Sequence, residues 1–326
     1  LHTYRRPVPG HDRPPILVIG SYEWFVANRY RTYAKMVDAI LQDAPHHLVD
    51  TSYAHNRTID VEQIAGRAFG PSTRPLVWFL MGPWLGRRGN RIINHERFIK
   101  FLEIEDQKVD QQLELMLLPY RMQAFLYRYE GALMDELLAI APHHGLRGYY
   151  FPQFTDTEAF RDWSLPKRYD VLFYGSTVDY LYPLRARLQK LLTACPGGLR
   201  VEVIDSRSGT WGAATSRMIN QSWLTVSDRV GDCDRFVGKY SEIPLSGSVL
   251  LGNAPTRHRD LFRGRMVEVD MSMSDQAILD TIHSALADKD RLHAMAQSLR
   301  STMLERYTLA HGRERFWSIM SDLQNR

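Results

Sequence analysis

Asp234-Arg235-Phe236-Val237-Gly238-Lys239-Tyr240-Ser241-Glu242-Ile243-Pro244-Leu245-Ser246-Gly247-Ser248-Val249-Leu250-Leu251 reads as a helix, a small-residue turn and a buried strand, in that order. The helix is expected around 236–243. Lys239 stands three residues before Glu242, so on a helix the two share a face. Ser246-Gly247-Ser248 supplies the turn, and the run into Leu251 is apolar enough for a strand covered on both sides. A carboxylate beside a cleft can accept ribose hydroxyls, and a nearby Lys or Arg can hold a diphosphate. An ordinary exposed ion pair would use the same two side chains.

The pattern extends in both directions. Tyr169 to Tyr174 is a strand closed by Gly175-Ser176, and a helix follows over 182–192 with Pro183 in its first turn. Further strands are expected at 199–204, 223–226, 248–251 and 266–269. A helix lies near 212–221, and three more start near Asp275, Asp290 and Leu309. Towards the N-terminus, Ile16 to Gly20, Leu76 to Leu80, 98–104, 123–127 and 148–151 read as strands. Helices are expected at 28–42, 105–118 and 132–140. Strands alternating with helices argue for parallel sheets covered on both faces. The periodicity breaks most sharply over 152–166. The expected organisation is therefore a tail (1–13), an N-terminal Rossmann-like domain (14–160), a C-terminal Rossmann-like domain (161–308) and a last helix (309–326). The two domains are expected to face a central cleft, because open parallel sheets bind ligands at the carboxyl ends of their strands.

Composition narrows the classes. Of 326 residues, 44% are hydrophobic and 24% charged, which excludes a disordered or collagenous chain. No apolar run approaches the roughly 18 residues of a membrane span. Two cysteines, Cys195 and Cys233, rule out a disulfide framework and a Cys-rich zinc site. The net charge of +4 is spread along the chain rather than massed on one stripe, which disfavours a nucleic-acid partner. The chain opens at Leu1, which reads as trimming, and carries no charged-then-apolar leader. A cytoplasmic protein is expected, with peripheral membrane contact through the basic loop Gly86 to Arg91 as an option. Oligomeric state is not legible.

Four stretches, taken in order, resemble GT-B glycosyltransferases, closest to the group that includes CgeB-like proteins with a family 1-type C-terminal domain. Pro152, Asp156 and Phe160 are similar to the linker motif of that superfamily. Tyr169 to Ser176 is similar to the strand that opens its nucleotide domain, with Arg185 in the next helix. Met218-Ile219-Asn220 before Ser222-Trp223-Leu224 is similar to its "Asn, then a strand" element. The segment quoted first is similar to its donor-binding signature.

The resemblance implies a GT-B fold whose C-terminal helix crosses back onto the first domain. It implies transfer of a sugar from a nucleotide-sugar donor, UDP-sugar before GDP-sugar, to a hydroxyl of a glycan or lipid-linked acceptor. Glu242 matches the second acid of the family's E-x7-E motif, which binds ribose, and Asp234 stands where the family has the first Glu. Lys239, Arg235 and Arg185 are implied for the diphosphate, with Gly175, Ser176 and Thr177 near the phosphates and Asn220, Ser246, Gly247 and Ser248 close to the donor. No cofactor and no metal are implied, since cations and a helix N-terminus can stabilise the leaving group. Asp232-Cys233-Asp234 has metal-binding spacing but precedes a helix that matches GT-B.

Retention or inversion is not legible; an inverting enzyme needs a base for the acceptor hydroxyl from the N-terminal half. Glu23 leads, because Gly20-Ser21-Tyr22-Glu23 follows the first buried strand; His47, His55, His95 and Asp106 are the others. Glu103, Glu105 and Tyr127 to Glu130 close strands that could face the cleft. Trp24, Trp78 and Trp84 could stack on a sugar, although core packing is the commoner fate of such residues. Two other readings use the same fold: a non-catalytic, coat-associated or sugar-nucleotide-binding protein, and a transferase acting on DNA or protein.

Overall fold

The computed structural model describes residues 2–6, 13–27, 31–51, 58–80, 91–93, 97–104, 117–176, 178, 181–194, 198–204, 211–229 and 235–325. The chain divides into two units, Leu1–Pro152 with Ala310–Arg326, and Gln153–Leu309. Residues 153–160 thus go with the second unit, ahead of the boundary read from the sequence. The helix expected over 105–118 falls almost wholly outside the described residues.

The first unit is built on a sheet in the order β1-β3-β2-β5-β7-β8-β9. Its strands are β1 (His2–Arg6), β2 (Ile16–Gly20), β3 (His46–Asp50), β5 (Leu76–Leu80), β7 (Lys100–Ile104), β8 (Ala124–Tyr127) and β9 (Arg147–Tyr150). A separate parallel pair joins β4 (Thr58–Asp60) to β6 (Arg91–Ile93). All neighbours in the large sheet are parallel except β1, which runs antiparallel to β3 with His2 opposite Asp50. Every residue of β2 and β5 is buried, as continuous apolar runs require when both faces are covered.

β1 corrects the reading of 1–13 as a tail. A charged stretch can still form an edge strand, because one of its sides pairs with nothing. β3 is absent from the sequence reading because His46-His47-Leu48-Val49-Asp50 has no apolar run. It is held by pairing on both sides, to β1 and β2.

The second unit carries an all-parallel sheet in the order β11-β10-β12-β13-β14. The strands are β10 (Tyr169–Tyr174), β11 (Val201–Ile204), β12 (Ser222–Ser227), β13 (Val249–Gly252) and β14 (Val267–Glu268). Apolar cores cover both faces. Val171, Phe173, Leu224 and Leu251 meet Leu188 and Ile282 on one, and Leu172, Tyr174 and Leu250 meet Phe236, Tyr240 and Met303 on the other. In each unit the chain leaves its first parallel strand for one neighbour and returns to the other side. The order reverses between β2 and β5 in the first unit and between β10 and β12 in the second. A ligand crevice forms at the carboxyl ends of such strands.

The last helix, Leu309–Gln324, returns to the first unit as expected. Phe316 packs at 4.9 Å from Trp78, 5.8 Å from Phe101 and 6.3 Å from Phe151, measured between ring centroids. The helix is also tied by polar contacts: Tyr149 donates to Asp322 at 2.5 Å, and Arg313 pairs with Asp43 at 3.3 Å.

Candidate functional site

The site of the second unit forms where β10 and β12 end. β10 stops at Tyr174 because Gly175 turns the chain with φ +83°, a conformation that L side chains avoid. A Cβ there would also lie 2.8 Å from the Lys239 ammonium. Lys239 reaches this point because the helix Lys239–Leu245 starts at the same edge of the sheet. Its Nζ donates to the Tyr174 carbonyl and lies 4.4 Å from the centroid of the Tyr174 ring. One turn along the helix, Glu242 accepts a hydrogen bond from the Tyr174 hydroxyl at 3.0 Å. Lys239 and Glu242 therefore share a helix face, as their spacing predicts, and both are half-buried.

Burial dominates the electrostatics. It pushes the Lys239 ammonium well below its usual range, with Arg185 nearby adding to the effect and Asp228 and Glu242 opposing it. It pushes the Glu242 carboxyl upward, opposed by the Tyr174 hydroxyl and Lys239. The Tyr174 hydroxyl is raised by burial and by the charge of Glu242. The arrangement is a lysine and a glutamate both contacted by one tyrosine, beside a turn whose glycine has no side chain to block it.

Arg185 is placed differently from the diphosphate role implied for it. It is 1% exposed and braces the loop from beneath. Its Nη1 donates to the Ser176 carbonyl at 2.6 Å, and its Nη2 donates to Asp228 at 2.5 Å. Asp228, fully buried, was missed in the sequence. The available signal was an acid placed directly after an apolar strand, at the edge where Gly175-Ser176 follows β10. Arg235 is buried on the approach to Gly238, whose N–H donates to the Gln153 side chain at 3.2 Å. Thr177, Asp232 and Asp234 lie outside the described residues.

Asn220, Ser246, Gly247 and Ser248 are not part of this cluster. They sit at the amino ends of β12 and β13, where Ser246 closes the helix about 10 Å from Lys239. Each is used in packing. Asn220 donates to Asp162 and to the Ser246 carbonyl, both at 2.8 Å, and accepts from the Leu165 N–H at 2.9 Å. Ser246 meets Ser216 and Ser248 meets Thr225, each at 2.8 Å. Gly247 turns with φ +76° beneath Asn220. Lys167, which carries no motif, ties this end together by donating to the carbonyls of Asn220, Ser222 and Gly247 at 2.7, 2.8 and 2.7 Å.

In the first unit, Glu23 lies just past the carboxyl end of β2, where the strand order reverses. Its N–H donates to Asp50 at 2.6 Å. His47 stacks edge-on against Phe69 at 6.4 Å and belongs to the packing. Trp78 is in the core against Phe101 and Phe316. Glu103 is sealed against Arg128, with Nε at 2.6 Å and Nη2 at 2.5 Å, and also accepts from the Tyr33 hydroxyl. Tyr127 packs on Phe125 and Tyr150. His55, Trp84, the loop 86–90, His95, Glu105 and Asp106 lie outside the described residues. No helix among the described residues is long and apolar enough to cross a membrane.

No protein-family model matches the sequence, and no curated protein does. Solved structures do match. Sucrose-phosphate synthase from Thermosynechococcus elongatus aligns with a TM-score of 0.56 at 12% identity, over 96% of this chain and 100% of that one. A glycosyltransferase from Rickettsia africae aligns at 0.55 and 9%, over 96% and 99%. Anabaena HepE in complex with UDP aligns at 0.51 and 8%, over 95% and 100%. The fold is GT-B, with two α/β units, the first on a mainly parallel sheet and the second on an all-parallel one.

Proposed function

We propose that this chain is a glycosyltransferase that takes a nucleotide-sugar donor at the carboxyl end of β10, UDP-sugar before GDP-sugar, and passes the sugar to a hydroxyl of a glycan or lipid-linked acceptor. The observation that carries this reading is the pair Lys239 and Glu242, held on one helix face beside Gly175 at the switch point of an all-parallel sheet. Lys239 and the backbone N–H groups of Gly175 and Ser176 take the diphosphate, and Glu242 takes the ribose. The GT-B fold, and the presence of UDP in the Anabaena neighbour, support the choice of donor.

In this scheme the bond between the anomeric carbon and the diphosphate oxygen breaks, and its electron pair leaves on the diphosphate. Lys239 neutralises that charge where burial strengthens the interaction, so no metal is required. The acceptor oxygen forms the new bond, and Glu23 is the proposed base for its proton. Asp234 keeps the place of the first motif acid.

A thermal-shift panel of nucleotides and nucleotide sugars, run in EDTA, tests the reading. A ligand at 100 times its Kd adds about 2.7 kcal/mol of stability. UDP or GDP should raise the melting temperature, one nucleotide sugar should raise it more, and Glu242→Ala should abolish both shifts while the fold is kept. Binding with no donor hydrolysis would favour the non-catalytic reading. Unchanged affinity in Glu242→Ala would remove Glu242 from the site.

A further inference from the structure

Tyr174 touches both members of the pair through different groups. Its carbonyl accepts from Lys239 Nζ, its ring face lies 4.4 Å below the same ammonium, and its hydroxyl donates to Glu242 Oε2 at 3.0 Å. The residue is buried and closes β10, so the sheet fixes its backbone. Lys239 and Glu242 are one helical turn apart, a spacing at which opposite charges normally pair. Among the described residues, Lys239 nevertheless forms no ion pair. Tyrosine stands between the two and satisfies each with a group that leaves capacity over. An ammonium has three donors, of which the carbonyl takes one. A carboxylate has two oxygens, of which the hydroxyl takes one.

We propose that Tyr174 is the positioning residue of the nucleotide site: it keeps Lys239 and Glu242 from collapsing onto each other and aims the second oxygen of Glu242 at the ribose diol, so that it sets the preference for ribonucleotides. This rests on the nucleotide-sugar reading above and adds the residue that spaces its two halves. An ion pair between Lys239 and Glu242 would neutralise the site before a ligand arrived, and binding would first have to break it. With Tyr174 between them, the cation is presented to a diphosphate and the carboxylate to a diol, on one rigid support.

Tyr174→Phe separates these roles, because phenylalanine keeps the carbonyl and the ring and loses only the hydroxyl. Calorimetric binding of UDP, of a 2′,3′-dideoxy nucleoside diphosphate and of inorganic pyrophosphate is compared in wild type, Tyr174→Phe, Glu242→Ala and the double variant. Wild type should prefer UDP to the dideoxy ligand. Tyr174→Phe should bind UDP roughly tenfold more weakly, the size expected for loss of a hydrogen bond to a charged group. Its affinity for pyrophosphate and for the dideoxy ligand should not change. In the Glu242→Ala background the same substitution should add nothing, because the hydroxyl acts through that carboxylate.

Equal losses for UDP and pyrophosphate would overturn the proposal, since they would mark a general disturbance of the site. So would a Tyr174→Phe variant that binds UDP as wild type does. Wild-type protein that binds neither UDP nor pyrophosphate would overturn the nucleotide site itself, and the role of Tyr174 with it. Unchanged pyrophosphate binding also shows that the variant is folded.

Discussion

Asp228 caps a helix to which it does not belong and pairs with a side chain of the same helix: Oδ2 accepts the Arg185 backbone N–H at 3.1 Å, and Oδ1 accepts Nη2 at 2.5 Å. The helix Pro183–Thr193 has no side-chain cap of its own, so a residue after β12 supplies one. Both partners are almost wholly buried, at 1% and 0% exposure. The other terminal nitrogen, Nη1, holds the Ser176 carbonyl. One ion pair therefore couples the end of β12, the start of a helix and the loop beside Lys239.

Breaking that pair should be costly. Asp228→Ala leaves a buried guanidinium without its counter-charge, a change worth about 3–5 kcal/mol. Urea denaturation should show the loss directly. Asp228→Asn keeps the size and the acceptor oxygen, so it should fold with a smaller loss yet bind UDP more weakly, because the Ser176 loop loses its brace. Asp228→Asn with wild-type stability and affinity would show that the pair positions nothing.

Lys239 makes nucleotide binding depend on pH. Its pKa is depressed in the empty site by burial, and a bound diphosphate would raise it again. The complex then holds more protons than the free protein. Affinity is full below the pKa of the free site and falls as pH rises through it, by up to tenfold per unit. Lys239→Arg keeps a charge that does not titrate in this range. Binding isotherms taken across a pH series should weaken as pH rises for wild type and show no such fall for the variant. Parallel profiles would mean that another group carries the proton.

How much was legible follows from what each element depends on. Strands buried on both faces, such as Leu76–Leu80 and Tyr169–Tyr174, announce themselves as apolar runs, and most helices were found from their spacing. β3 was not, because its stability is supplied by neighbours on both sides rather than by its own composition. The facing of Lys239 and Glu242 was readable because three residues make nearly one helical turn. Tyr174 was not, since a tyrosine ending an apolar strand reads as core until its hydroxyl is seen on Glu242. Asn220, Ser246, Gly247 and Ser248 were drawn into the donor site by their place in the motif. A helix carries residues at its two ends to opposite edges of a sheet, and spacing alone does not say which edge a ligand uses.

The last helix should be indispensable to the first unit. Phe316 is fully buried among Trp78, Phe101, Phe151 and Trp317, at 4.9 to 6.3 Å between ring centroids. Phe316→Ala removes a ring from a site with little means of collapsing, which costs about 3–5 kcal/mol. The melting temperature should fall markedly, whereas Ser321→Ala, on an exposed position of the same helix, should leave it unchanged.

Lys167 separates stability from binding at the other edge of the second unit. Its ammonium gives all three protons to backbone carbonyls, those of Asn220, Ser222 and Gly247. Lys167→Met keeps the apolar stem and removes every donor. Some of the three carbonyls can turn to water, because the site is only half-buried, so a loss of about 2–4 kcal/mol is expected rather than the full sum. Asn220→Ala should act in the same direction by freeing Asp162 and the Ser246 carbonyl. Neither variant should alter UDP affinity when it is measured well below the lowered melting temperature, because both residues bond to the Ser246–Gly247 end of the helix, about 10 Å from its Lys239 end. A drop in affinity at a temperature where the variant is fully folded would return the amino ends of β12 and β13 to the donor site.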